Sequence, residues 1–176
     1  MYLYTLFSEI VTFKTVTDAL NYSGNREKVT GIIITDSIAG NDYSPESEWS
    51  KFRTLDETFP NIESVEICTD QDMPLYCDVD IDSVEFAIVC QRSLFFCLEY
   101  DDKVYEYIDK CSKWLKEFSA PNIRIIGEMA FAGCDNLFNV DFSSVMEILN
   151  YAFSYSNNLK WHCYLNIYNL FIEFHS

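Results

Sequence analysis

Glycine and basic residues are what this chain has least of, and each shortage closes off a class of chemistry. Five glycines in 176 residues leave few places where backbone can wrap a phosphate. No glycine-rich phosphate loop, Gly-x-Ser-x-Gly elbow or His-Glu-x-x-His motif occurs, so neither a nucleotide nor a metal cofactor is expected. Lys and Arg number 12 against 28 Asp and Glu, for a net charge of -16 and a pI near 4.3. Neutralising a phosphate backbone needs clustered cations, which excludes nucleic acid as a partner. Histidine is scarcer still, with His162 and His175 alone. A Cys-His nucleophile pair has no local signature here. Such pairs are assembled in space, so a thiol hydrolase is decided by whether His162 lies within hydrogen-bond reach of a cysteine.

The seven cysteines (Cys68, Cys77, Cys90, Cys97, Cys111, Cys134, Cys163) include no Cys-x-x-Cys pair. Most adjoin apolar runs, and they read as small buried hydrophobes of a reducing compartment. In an exported chain their odd number would leave one thiol unpaired. No window reaches the roughly 18 uninterrupted apolar residues of a membrane span. The N-terminus lacks a basic start and Glu9 interrupts its apolar run, which makes a poor signal peptide. A soluble, cytoplasmic chain is expected.

What is present is apolar bulk and a repeat. Hydrophobic residues make up 49% of the chain and aromatics 16%, enough for one domain with a sizeable core and too much for disorder. The acidic excess concentrates between Glu63 and Asp109, where only Arg92 and Lys103 oppose it. Such a face keeps a protein soluble and steers cationic partners. Within 126–142, Ile126, Ala130, Phe131, Asn136, Leu137 and Phe142 recur at a fixed offset as Ile148, Ala152, Phe153, Asn158, Leu159 and Tyr164. A period of about 20–30 residues with apolar positions in phase belongs to units that stack because none can bury its own hydrophobic side.

These residues, spelled Ile-Gly-x-x-Ala-Phe-x-x-Cys-x-x-Leu-x-x-Val-x-Phe from Ile126, resemble the BspA-like leucine-rich repeat family over about 121–165. The second copy departs from the pattern at Leu149, Ser156 and His162. A weaker resemblance covers 15–68, where a short helix precedes Lys28-Val29-Thr30 and the isoleucines that follow. The resemblance implies an extracellular or surface binding protein, often an adhesin, with no catalytic residues to carry over.

Earlier in the chain, residues 1–14 read as an edge strand or cap, and Thr15 caps a short helix. A β-branched run over 29–35 reads as a buried strand. Ser44 and Pro45 open a helix whose face is Trp49, Phe52, Leu55 and Phe59, and 62–68 alternates as a strand. Strand, helix and strand in that order predict a right-handed crossover between parallel strands. Asp78, Asp80 and Asp82 share one face of an extended segment, but Ser83 and Val89 fail a calcium loop, and a solvated edge is favoured over a metal site. Strands are predicted over 84–90 and 94–98. Val104, Ile108, Cys111, Leu115 and Phe118 predict a helix over 102–118. Pro121-Asn122-Ile123 then echoes Pro60-Asn61-Ile62.

The reading is an α/β fold, a short leucine-rich-repeat-like right-handed solenoid with a parallel strand ladder and irregular helices. It forms one domain over 1–176, with an elaborated half at 1–120 and recognisable repeats with a C-terminal cap at 121–176. The expected function is non-catalytic protein binding through the exposed strand face, where Asn139, Asp141 and Trp161 face outward, to a partner with a basic or polar surface. The apolar run over 161–172 either folds back as a cover, docks on another chain in self-association, or marks a truncation. A surface adhesin-like module is the alternative function.

Overall fold

A computed structural model of the chain describes residues 8–40, 47–74, 98–99, 108–109, 114–128, 130–150, 152–153 and 156–159. Its strands in chain order are β1 (Glu9–Phe13), β2 (Val29–Ile34), β3 (Ser64–Ile67), β4 (Leu98–Glu99), β5 (Ile108–Asp109), β6 (Glu117–Ser119), β7 (Ile125–Ile126), β8 (Asn139–Asp141) and β9 (Glu147–Ile148). Five of them form one sheet in the order β1-β2-β3-β6-β8, with every neighbouring pair parallel. β7 and β9 form a second parallel pair, and β4 with β5 an antiparallel one.

The sequence accounts for the short helices. Thr15 accepts a hydrogen bond from the Asp18 amide (3.0 Å) while Asp18 accepts one from the Thr15 amide (3.2 Å), a reciprocal cap that starts α1 (Val16–Leu20). Asn21 closes that helix by donating from its side chain to the Thr17 carbonyl (3.0 Å). Between β2 and β3 the chain runs as a 3₁₀ helix, Trp49–Thr54, and then α2 (Leu55–Thr58). The apolar spacing follows that change of pitch. Trp49, Phe52 and Leu55 recur every three residues, as a 3₁₀ turn requires, Phe59 comes four later, and all four are fully buried. The start expected at Ser44 and Pro45 lies outside the described residues.

The offset seen in the sequence is also the offset of the strand pairing. Glu117 pairs with Asn139 and Ile125 with Glu147. Asn157 donates to the Asp135 carboxylate at 3.1 Å across 22 positions. Phe131 stacks on Phe153, with centroids 5.2 Å apart and planes 5° apart, and touches Phe118 (4.8 Å) and Phe142 (5.7 Å). This aromatic column joins the two successive 22-residue stretches that start at β6 and β8. The Pro-Asn-Ile echo is also structural. Asn61 donates to the Glu27 carbonyl (2.8 Å) and Asn122 to the Cys68 carbonyl (3.0 Å), while Ile62 and Ile123 enter the core. Each asparagine satisfies a carbonyl of the preceding coil at a bend where no strand can do so.

Two expectations are corrected. Within 102–118, the described residues are strand at Ile108–Asp109 and at Glu117–Phe118, with a bend at Trp114 and no regular structure at Leu115 and Lys116, so none of the described residues is helical. Phe118 is instead seated in the sheet between Val65 and Val140, where it meets Phe131. Cys68 is exposed, because it shares the outward parity of Glu66 beyond Ile67, whereas Cys134 is buried as expected. Cys77, Cys90, Cys97, Cys111 and Cys163 lie outside the described residues, as do the Asp78–Asp82 motif, the strand over 84–90 and the stretch 161–172. Among the described residues no helix is long and apolar enough to cross a membrane.

Candidate interaction surface

Side chains alternate across a strand, so the register of the five-stranded sheet fixes two faces. The inner row, Val11, Ile32, Val65, Phe118 and Val140, is wholly apolar and packs into the core. The outer face carries two rows. One runs Ile10, Gly31, Ser64, Glu117 and Asn139, and the other Thr12, Ile33, Glu66, Ser119 and Asp141. Asn139 and Asp141 are exposed on either side of Val140, while Trp161 lies outside the described residues.

Three carboxylates, Glu66, Glu117 and Asp141, occupy neighbouring strands of this face, and no Lys or Arg stands in either row. Among the described residues none of the three forms an ion pair. The Asp141 carboxylate accepts from the Ser143 amide (3.2 Å), and that of Glu66 from the Cys68 thiol (3.6 Å). The nearest cation by sequence, Lys116, precedes β6 and is held by Glu63 at 2.5 Å. Glu117 went unnoticed in the sequence because the helical reading of 102–118 hid its strand parity. Glu66 was legible from the alternation Ser64-Val65-Glu66-Ile67.

A shallow polar depression of about 640 Å³ lies beyond the C-terminal ends of the strands, with Thr35, Cys68, Asp70, Asn122, Arg124 and Ser144 among its walls. Its groups hold the coils together. Asn122 bonds back to Cys68, and Asp72 accepts from the Arg124 amide (2.9 Å), the Ile125 amide (3.2 Å) and the Arg124 guanidinium (3.4 Å). Burial, the Glu66 charge and the hydrogen bond to Glu66 all push the Cys68 thiol up, the direction opposite to an activated nucleophile. His162 lies outside the described residues. Among the described residues no group of three or more His, Cys, Asp or Glu side chains is placed to hold a metal ion.

A parallel ladder of short strands, few helices and a 22-residue coil offset define an α/β repeat protein. The particular kind of repeat is indicated by residues 103–169, which match the family model described as "BspA type Leucine rich repeat region (6 copies)". That match takes in the copies at 126–142 and 148–164 and leaves out 15–68. No curated protein and no solved structure matches the chain.

Proposed function

We propose that the chain is a single leucine-rich-repeat solenoid over 1–176 that binds another protein through the outer face of its parallel sheet, with Asn139, Asp141 and Trp161 among the contacts. The observation that carries this reading is the pair of outward rows, which hold three carboxylates and no cation, none of the three in an ion pair among the described residues. Repeats of this family are generally non-catalytic, and the raised Cys68 thiol supports a binding role over a hydrolytic one. Charge complementarity sets orientation and encounter rate more than affinity, so a partner with a basic surface fits, and its binding weakens as salt screens the face. The family match also supports a surface, adhesin-like setting for the same module.

The test is affinity capture from the source organism by the wild-type chain and by Asp141→Lys, washed at low and high salt. A protein retained by wild type at low salt, shed at high salt and not retained by Asp141→Lys supports the reading. A partner held equally by both chains, or retention only of further copies of the chain through its C-terminal end, refutes the outer face as the binding surface.

A further inference from the structure

Asn21-Tyr22-Ser23 is the chain's one Asn-x-Ser/Thr triplet, and its middle residue is not proline. Such a triplet is what an oligosaccharyl transferase recognises, so its use depends on how the fold presents it. It stands at the end of α1, where Asn21 is the closing residue and the chain turns back toward β2. Asn21 and Ser23 are exposed. Tyr22 between them is drawn inward, its ring centroid 5.5 Å from that of Phe13 and 6.0 Å from that of Phe59. Gly24 lies against that ring, where a side-chain carbon would collide with it, and Arg26 Nε donates to the Tyr22 carbonyl at 2.7 Å. The anchored ring thus holds the two recognised side chains at the surface on a built turn.

The acceptor atom is compatible with substitution. Asn21 Nδ2 donates to the Thr17 carbonyl at 3.0 Å, a bond that closes α1. A primary amide has two N–H groups, and the substituted amide keeps one as a donor. Val16 and Ala19 of α1 pack into the same core as the inner row of the sheet, so α1 lies on the side away from the outer rows. We propose that Asn21 carries an N-linked glycan, which covers the helical side and leaves the outer face clear. The donor is a lipid-linked oligosaccharide diphosphate. A bond forms between Asn21 Nδ2 and the anomeric carbon, the bond from that carbon to the diphosphate oxygen breaks with its electron pair, and the proton lost from Nδ2 leaves with the lipid diphosphate. Such a donor belongs to the export route, so the inference rests on the surface setting of the chain.

The native chain recovered from its source tests this by mass spectrometry of the tryptic peptide 15–26 before and after peptide-N-glycosidase. The peptide should be heavier than its sequence by one glycan, and the enzyme should remove that mass and leave Asp at position 21. In a secreting eukaryotic host, the full chain behind a cleavable signal should show a glycosidase-sensitive shift in mobility. Ser23→Ala should abolish the shift and Ser23→Thr should keep it, because the transferase reads the hydroxyl, with circular dichroism unchanged in both. Labelling of intact source cells with a membrane-impermeant amine reagent separates the modification from the setting. A chain labelled on intact cells whose peptide has its bare mass overturns the glycan and leaves the surface setting standing. A bare peptide in a chain labelled only after lysis overturns both. A shift in the host that survives Ser23→Ala overturns Asn21 as the acceptor.

Discussion

Glu48 and Glu128 are two carboxyls drawn partly out of water, and they act on stability with opposite sign. Burial pushes Glu48 up, but the hydrogen bonds from Lys51 and Thr17, with the Lys51 charge, outweigh it and hold its carboxyl below the usual range. The unfolded chain then takes the proton first. Glu48 stabilises the fold above the usual carboxyl range, and that contribution is lost as pH falls through its depressed value. Burial raises the Glu128 carboxyl above its usual range. The native state then takes the proton first, so its ionised form costs stability at neutral pH, and acidification removes the cost. Urea unfolding should show Glu48→Gln less stable than wild type at pH 7 by about 1–2 kcal/mol, the gap closing below about pH 4. Glu128→Gln should be more stable than wild type at pH 7 and equal to it near pH 4. A difference from wild type that does not change with pH, for either variant, would remove ionisation as its source. Trp49 is a second residue-scale case. Its indole N–H is fully buried with no acceptor among the described residues, so its worth lies in volume rather than polarity. Trp49→Phe should cost under about 1.5 kcal/mol and Trp49→Ala about 3–5, measured by the same unfolding. Equal losses would mean that the N–H matters after all.

Between elements, the aromatic column is the joint. Phe131 touches Phe118 of β6 and, from the next 22-residue stretch, Phe142 and Phe153, so its removal loosens the packing of β6 and of its successor together. Phe131→Ala should destabilise by about 3–5 kcal/mol and lower hydrogen-exchange protection in β6–β9 more than in β1–β2. Uniform loss of protection would instead mean that the coils unfold as one unit. Much of this joint was legible in the sequence. The recurrence of Ala130-Phe131 as Ala152-Phe153 gave the coil length, and Thr15 with Asp18 gave the capped helix. The segment 102–118 misled because Val104, Ile108, Leu115 and Phe118 satisfy a helical period by residue type alone. Strand pairing to Val65 and Val140 is a contact between residues far apart in the chain, and periodicity within one window carries no information about it. The alternation Ser64-Val65-Glu66-Ile67 marked Glu66 as outward, and Asn139 and Asp141 are exposed on β8, but nothing within one window of sequence brought Glu117 to the same face.

On the whole molecule, the charge of -16 acts in two directions that salt can separate. Like charges held close in the fold repel, and part of that repulsion relaxes when the chain expands. Screening therefore favours the folded state, and melting temperature should rise as ionic strength goes from low to moderate. Attraction to a basic partner is screened by the same ions, so affinity at the outer face should fall over the same range. Wild type should show both trends in one salt series, by thermal melts and by partner titration. Asp141→Lys lowers the net negative charge by two and reverses one carboxylate of the face. It should flatten the salt dependence of binding more than that of melting, because one face holds few of the charges while the whole chain sets the repulsion. If the two slopes flatten in equal proportion, binding follows net charge alone, and the outer rows carry no particular recognition.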